Sequence, residues 1–168
     1  MPIRILIADD HGVVAEGLKH LVEAEADMEV VACVGDGREA VQLAREAQPD
    51  VVLMDLSMPV CDGVEATRRI ADASPDVHVV ILTSFAEQQR VLDALEAGAV
   101  GYLLKDADPD DVIAGIRAAH AAGCMPIMVP DLLPPSEEVV RLALHVVASL
   151  DDVAELIDTA LDAVPLAR

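Results

Sequence analysis

Apolar and polar positions in this chain switch repeatedly between the period of a buried strand and that of a helix. Ile3 to Ala8 is an apolar run broken only by Arg4, and it stops at Asp9-Asp10; from Gly12 to Ala24, Val14, Leu18, Leu21 and Val22 then recur at helical spacing. Glu29 to Val34 reads as a second strand and Gly35-Asp36-Gly37 as a turn. Ala40, Val41, Leu43, Ala44 and Ala47 mark a second helix before Pro49. Val51 to Met54 is wholly apolar, as a strand buried on both faces must be, and ends at Asp55, followed by Leu56, Ser57, Met58 and Pro59.

The same alternation continues. Asp62-Gly63 opens a third helix through about Ala73, and Val77 to Leu82 is a fourth strand ending at Thr83-Ser84. A fourth helix runs from about Glu87 to Ala97 and stops at Gly98. Val100 to Leu104 is a fifth strand, after which Asp108-Pro109 starts a fifth helix reaching about Ala122. Five β-α units in strict alternation predict an α/β domain over residues 1–123, a five-stranded doubly wound parallel sheet covered by helices on both faces.

Past Gly123 the pattern breaks. Residues 124–135 hold Pro126, Pro130, Pro134 and Pro135 and read as a Pro-rich linker. Residues 136–168 predict a helical hairpin tail. Its first helix starts at Ser136-Glu137-Glu138 and runs to about Ala148, with Val139, Val140, Leu142, Leu144, Val146 and Val147 apolar. The second starts at Asp151-Asp152, with a stripe of Val153, Leu156, Ile157, Ala160, Leu161 and Val164. A first helix apolar around most of its circumference needs cover from another surface, and pairing of two hairpins into a four-helix bundle predicts a homodimer.

Charge and composition narrow the function. The 168 residues are 54% hydrophobic with a single Phe, a single Tyr and no Trp, and carry a formal net charge of -20. Residues 1–123 hold 9 Lys/Arg against 23 Asp/Glu and the remainder 2 against 8, so neither part offers the basic surface that phosphate backbones or anionic membranes require. Direct nucleic-acid binding by this chain is not expected. Cys33, Cys61 and Cys124 form no CxxC pair and read as reduced thiols. With neither a signal-peptide pattern at MPIRILIADD nor a membrane-length apolar run, a cytoplasmic protein is expected.

Winding the five units as proposed gathers Asp9, Asp10, Asp55, Thr83 and Lys105 at the C-terminal edge of the sheet, where ligands of open α/β folds collect. Crowded carboxylates repel one another, and a divalent cation with hard oxygen ligands relieves that repulsion; Mg²⁺ is the expected ion. Asp55 can then act as a nucleophile towards phosphorus, with Lys105 and Thr83 holding the oxygens of the transferred group. Each residue alone has an ordinary alternative: a helix cap for Asp55, a strand-end hydroxyl for Thr83, a solvated amine for Lys105, a half-buried strand residue for Tyr102, a helix-start residue for His11. Their joint occurrence outweighs those alternatives.

The acidic pair Asp9-Asp10, Asp55 in DLSMP, Thr83, and Lys105 in GYLLKD resemble the receiver domain of two-component response regulators, over residues 1 to about 122. DDHGVVAEGL, LTSF and GYLLKDAD resemble the NarL/FixJ subgroup in particular. The resemblance implies a flavodoxin-like, CheY-like sheet of order 2-1-3-4-5. It implies Asp55 as the phosphoacceptor, Mg²⁺ contacted by Asp10, Asp55 and the Ser57 carbonyl with Asp9 behind, Lys105 and Thr83 at the phosphoryl group, and Thr83 and Tyr102 as the switch pair. A sensor histidine kinase is the implied donor, and the domain a signalling module with at most intrinsic autophosphorylation and autodephosphorylation. The subgroup usually continues into a basic helix-turn-helix domain; the acidic, proline-interrupted stretch after Ala122 departs from that, so output through protein contacts or dimerisation is expected. Two alternatives remain: a transcription regulator lacking its helix-turn-helix domain, and a haloacid-dehalogenase-like phosphatase, which resembles D-x-D where this chain has Ser57.

Overall fold

A computed structural model describes residues 1–83, 88–122, 127–128 and 145–146. The elements in chain order are β1 Ile3–Ala8, α1 Gly12–Glu23, β2 Met28–Val34, α2 Gly37–Ala47, β3 Val51–Asp55, α3 Gly63–Ala73, β4 His78–Thr83, α4 Gln88–Glu96, β5 Gly101–Leu104 and α5 Pro109–Ala122. The five strands pair in parallel in the order β2-β1-β3-β4-β5, as expected.

Strand periodicity divides the sheet's side chains between two cores. Leu6, Ala8, Val52, Met54, Val79 and Ile81 face Ala40, Val41 and Ala44 of α2, Ala66 and Ile70 of α3, and Val91 and Ala94 of α4. Ile5, Ile7, Val51, Leu53, Val80 and Leu82 face Ala15 and Val22 of α1 and Val112, Ile113 and Ile116 of α5. Because both faces are covered, β1 and β3 cannot use polar alternation, which is why their sequences read as continuous apolar runs.

Local signals set the helix starts. The Asp36 side chain caps α2 by accepting from the Arg38 and Glu39 amides at 2.7 and 2.9 Å, and Asp62 caps α3 by accepting from the Glu65 amide at 2.9 Å. The cap of the helix after β3 is thus Asp62, and Asp55 is left as the last residue of its strand. Gly63 packs so closely on that strand end that a Cβ there would collide with the Asp55 carbonyl oxygen. Gly98 leaves α4 at φ 108°, a conformation suited to glycine.

The chain divides into two compact units, Met1–Cys124 and Met125–Arg168. In the second, Ile127–Met128 pairs in parallel with His145–Val146. This corrects two expectations locally: the linker contributes a two-residue strand, and the helix expected to reach Ala148 does not include His145 and Val146. Val146 is β-branched, which favours extended backbone over helix, and that preference wins there. The rest of the predicted hairpin lies outside the described residues, as does Glu87 at the expected start of α4.

Candidate functional site

Four of the five strands deliver a polar group at the C-terminal edge just where the apolar run stops. Asp9 follows β1, Asp55 closes β3, Thr83 closes β4 and Lys105 follows β5. Asp9 and Asp55 are 3% and 1% exposed, and Thr83 is likewise buried, whereas Asp10 and Ser57 are exposed. The main chain fixes the far side of the cluster, since the Lys105 amide donates to the Thr83 carbonyl at 2.8 Å. Tyr102, beside Ile81 in the β4–β5 ladder, is half-buried against the α2–α3–α4 core.

Lys105 Nζ lies 2.9 Å from Asp9 Oδ2 and 3.0 Å from Asp55 Oδ2, one cation between two buried carboxylates. The consequences differ for the partners. Burial is the largest influence on Asp55 and raises its pKa; the Lys105 ammonium and the Ser57 backbone N–H pull it down, the Asp9 charge pushes it up, and the net is a rise. Lys105 also suffers from burial, but two carboxylates outweigh that loss and its pKa is raised. The asymmetry has a simple origin: the lysine has two counter-charges, and each carboxylate must share one.

His11 belongs to the same cluster. Its amide donates to Asp9 Oδ1 at 2.8 Å, and its Nδ1 lies 3.2 Å from Asp9 Oδ1, 3.1 Å from Asp10 Oδ1 and 3.9 Å from Asp55 Oδ2. It occupies the N-cap position of α1 without a side-chain cap bond, which agrees with its reading as a helix-start residue. Asp9, Asp10, His11 and Asp55 each bring a ligand atom within 4.8 Å of the others, a grouping that could hold a metal ion. The buried Asp9 Oδ2 and Asp55 Oδ2 have no well-directed hydrogen bond. Buried oxygens in that condition suit a divalent cation with oxygen ligands.

Arg90 was not foreseen. From α4 its Nη1 donates to Ser57 Oγ at 2.7 Å and its Nη2 to the Leu56 carbonyl at 2.6 Å, across the loop between β3 and α3. The available signal was compositional, because Arg90 is the sole cation between Thr83 and Gly101. The cluster also borders an apolar cleft of about 420 Å³ between α1 and α5, lined by Val14, Leu18, Leu21, Leu104, Lys105 and Val112 among others.

Residues 5–117 match the response regulator receiver domain family. The chain is 46% identical over 117 residues to an uncharacterized transcriptional regulatory protein, YxjL, of Bacillus subtilis, covering 70% of this chain and 54% of that protein. It is 45% identical over 117 residues to the transcriptional regulatory protein LiaR of the same organism, covering 70% and 56%. The chain therefore spans about half the length of these curated relatives. Among solved structures it is similar to a LuxR-family two-component response regulator from Aurantimonas sp., with 39% identity, a TM-score of 0.68, and coverage of 73% of this chain and 87% of that one. Among the described residues no helix is long and apolar enough to cross a membrane. A family match over two thirds of the chain, joined to this fold and this cluster, has one conclusion: the chain belongs to the response regulator receiver domain family.

Proposed function

We propose that Asp55 is the residue that accepts the phosphoryl group, from a sensor histidine kinase or a small phosphodonor. The observation that carries this is the pairing of a buried strand-end carboxylate with Lys105 at 3.0 Å. A bare carboxylate in that position is unfavourable, and its raised pKa expresses the fact. Formation of the acyl phosphate carries negative charge outward from the buried carboxyl. Asp55 attacks phosphorus, the bond from phosphorus to the donor's leaving atom breaks, and the acquired oxygens come within reach of Lys105 and Thr83.

Asp10, Asp55 and the Ser57 carbonyl, with Asp9 behind them, would hold Mg²⁺, which when bound neutralises charge on the phosphoryl oxygens. Lys105 is the fixed cation on the opposite side, and Thr83 with Tyr102 would be the pair that responds to the new group. The exposed apolar cleft beside Lys105 supports docking of a kinase that must reach Asp55. Ser57 has its hydroxyl engaged by Arg90, which leaves no general acid at the position that a haloacid-dehalogenase-like phosphatase would need. Output through protein contacts, homodimerisation through residues 136–168, no direct nucleic-acid binding, and a cytoplasmic location complete the reading, and the charge of -20 supports its nucleic-acid element.

The test is intact-mass spectrometry after incubation with acetyl phosphate and Mg²⁺. One added phosphoryl group, mapped to Asp55 and lost in Asp55→Asn, is expected. Undiminished labelling of that variant would refute the assignment.

A further inference from the structure

We infer that Arg90 is a positioning residue for the metal site, a clamp from α4 that holds the Leu56 carbonyl and the Ser57 side chain and so places residue 57, whose own carbonyl is the proposed ligand, for a divalent cation. The inference rests on the proposed Mg²⁺ site and assigns that site a residue beyond its direct ligands.

The loop from Leu56 to Asp62 is tied down unevenly. Main-chain bonds close it: the Gly63 amide donates across the loop to the Leu56 carbonyl at 3.0 Å, and the Gly37 amide of α2 donates to the Cys61 carbonyl at 3.2 Å. Between these anchors Val60 sits at φ 68°, a left-handed conformation that a β-branched residue adopts only under restraint. Ser57, beside Leu56 at the near end, is exposed. Arg90 reaches this near end with two donors, at 2.7 Å to Ser57 Oγ and 2.6 Å to the Leu56 oxygen, while its Nη2 stands 4.0 Å from the Asp62 carboxylate. Residues 33 and 34 positions apart in sequence are thereby joined.

A guanidinium suits this task because its fork is planar and its donors keep a fixed spacing, so two acceptors are located relative to each other and to α4. Ser57 matters twice to the site: its amide lowers the pKa of Asp55, and its carbonyl is the proposed neutral ligand. Without the clamp the Leu56 carbonyl loses its donor from α4 and the Ser57 side chain loses this anchor, so residue 57 is less firmly placed, and Mg²⁺, with its narrow octahedral tolerance, registers such a loss of order as weaker binding. Groups that orient metal ligands from outside the coordination sphere typically contribute 10- to 100-fold in affinity, and a half-exposed clamp belongs at the lower end.

Calorimetric titration of the full chain with Mg²⁺, and single-turnover phosphorylation by acetyl phosphate over a Mg²⁺ series, test this. Arg90→Ala should weaken Mg²⁺ about 10-fold while the phosphorylation rate at saturating Mg²⁺ stays within about twofold of wild type. Arg90→Lys should not restore affinity, because an ammonium lacks the fork. Ser57→Ala, which removes one acceptor from an exposed position, should weaken Mg²⁺ about threefold and have no further effect in the Arg90→Ala background; it also carries the test should Arg90→Ala fold poorly. Wild-type Mg²⁺ affinity in both Arg90→Ala and Ser57→Ala, or restoration by Arg90→Lys, overturns the clamp and leaves the phosphoacceptor reading standing. A wild-type chain that binds no Mg²⁺ overturns both.

Discussion

Neutralising Asp55 should make the metal-free protein more stable, although it abolishes the proposed function. Asp9 and Asp55 carry ligand oxygens within 4.8 Å of each other, a repulsion of about 3 kcal/mol at an effective dielectric constant near 20. The Lys105 ammonium at 3.0 Å returns about 5 kcal/mol to Asp55 on the same scale. Those two contributions alone would favour the carboxylate, but Asp55 is 1% exposed, and taking an ion out of water costs several kcal/mol. Burial is the largest influence on Asp55, and its raised pKa means that the charged form is the less favourable one in the fold. Asp55→Asn keeps the shape, removes the desolvation and the repulsion, and leaves Lys105 its bond to Asp9; a gain of about 1–2 kcal/mol is expected.

The pH dependence carries a definite sign. A carboxyl whose pKa is higher folded than unfolded binds its proton more tightly when folded, so its penalty is fully present above the folded value and is lost as pH falls towards the ordinary carboxylate range. The advantage of Asp55→Asn should be largest near neutrality and shrink on acidification. Urea unfolding followed by circular dichroism in EDTA measures it, with the midpoint of the variant about 1 M higher at neutral pH. Mg²⁺ should then narrow or reverse the difference, because saturation at about 100 times the dissociation constant adds about 2.7 kcal/mol and the wild type holds the ion better. A variant no more stable than wild type in EDTA, or an advantage that grows as pH falls, would refute the reasoning.

Three further outcomes are expected. Lys105→Ala leaves Asp9 and Asp55 buried without their cation and should lower stability by about 3 kcal/mol in EDTA, with partial recovery on adding Mg²⁺; an unchanged urea midpoint would show that the pair is solvated. Val60→Gly releases about 1–2 kcal/mol of left-handed strain at a side chain 68% exposed and returns part of that through unfolded-chain entropy, so a net gain of about 0.5–1 kcal/mol is expected in the same assay. Light scattering should find the full chain dimeric at micromolar concentration and a chain ending at Gly123 monomeric; a dimer that survives the truncation would place the interface elsewhere.

Much of the fold could be read from the chain because parallel strands buried on both faces announce themselves. IRILIA and VVLMD have few positions that could face water; the first is followed directly by the site acid Asp9 and the second ends on Asp55. Boundaries were less exact where a turn residue also serves as a cap: α2 begins at Gly37 because Asp36 caps it, three residues before the first apolar position of its stripe. The site's acids and its lysine were legible because strand ends converge. Arg90 was not, since its partners lie 33 and 34 positions away and one of them is a main-chain oxygen, which leaves no mark in a side-chain pattern. Val146 misled in the opposite direction, for an apolar residue at helical spacing is equally at home in a short strand when it is β-branched.

The strand order also dictates when the site's charges meet. Residues 1–55 already contain β1, β2 and β3, which pair with one another on one side of the sheet, so the first third of the chain can bring Asp9 and Asp55 together on its own. Their cation arrives only with β5, the edge strand at the opposite end, and β4 must pair before it. A partly assembled sheet therefore confronts two carboxylates with no counter-charge. Fraying of a four-residue edge strand restores that condition in the finished molecule. Opening at β5 therefore carries an electrostatic cost at the site, and a cation bound by Asp9 and Asp55 would lower it by standing in for Lys105.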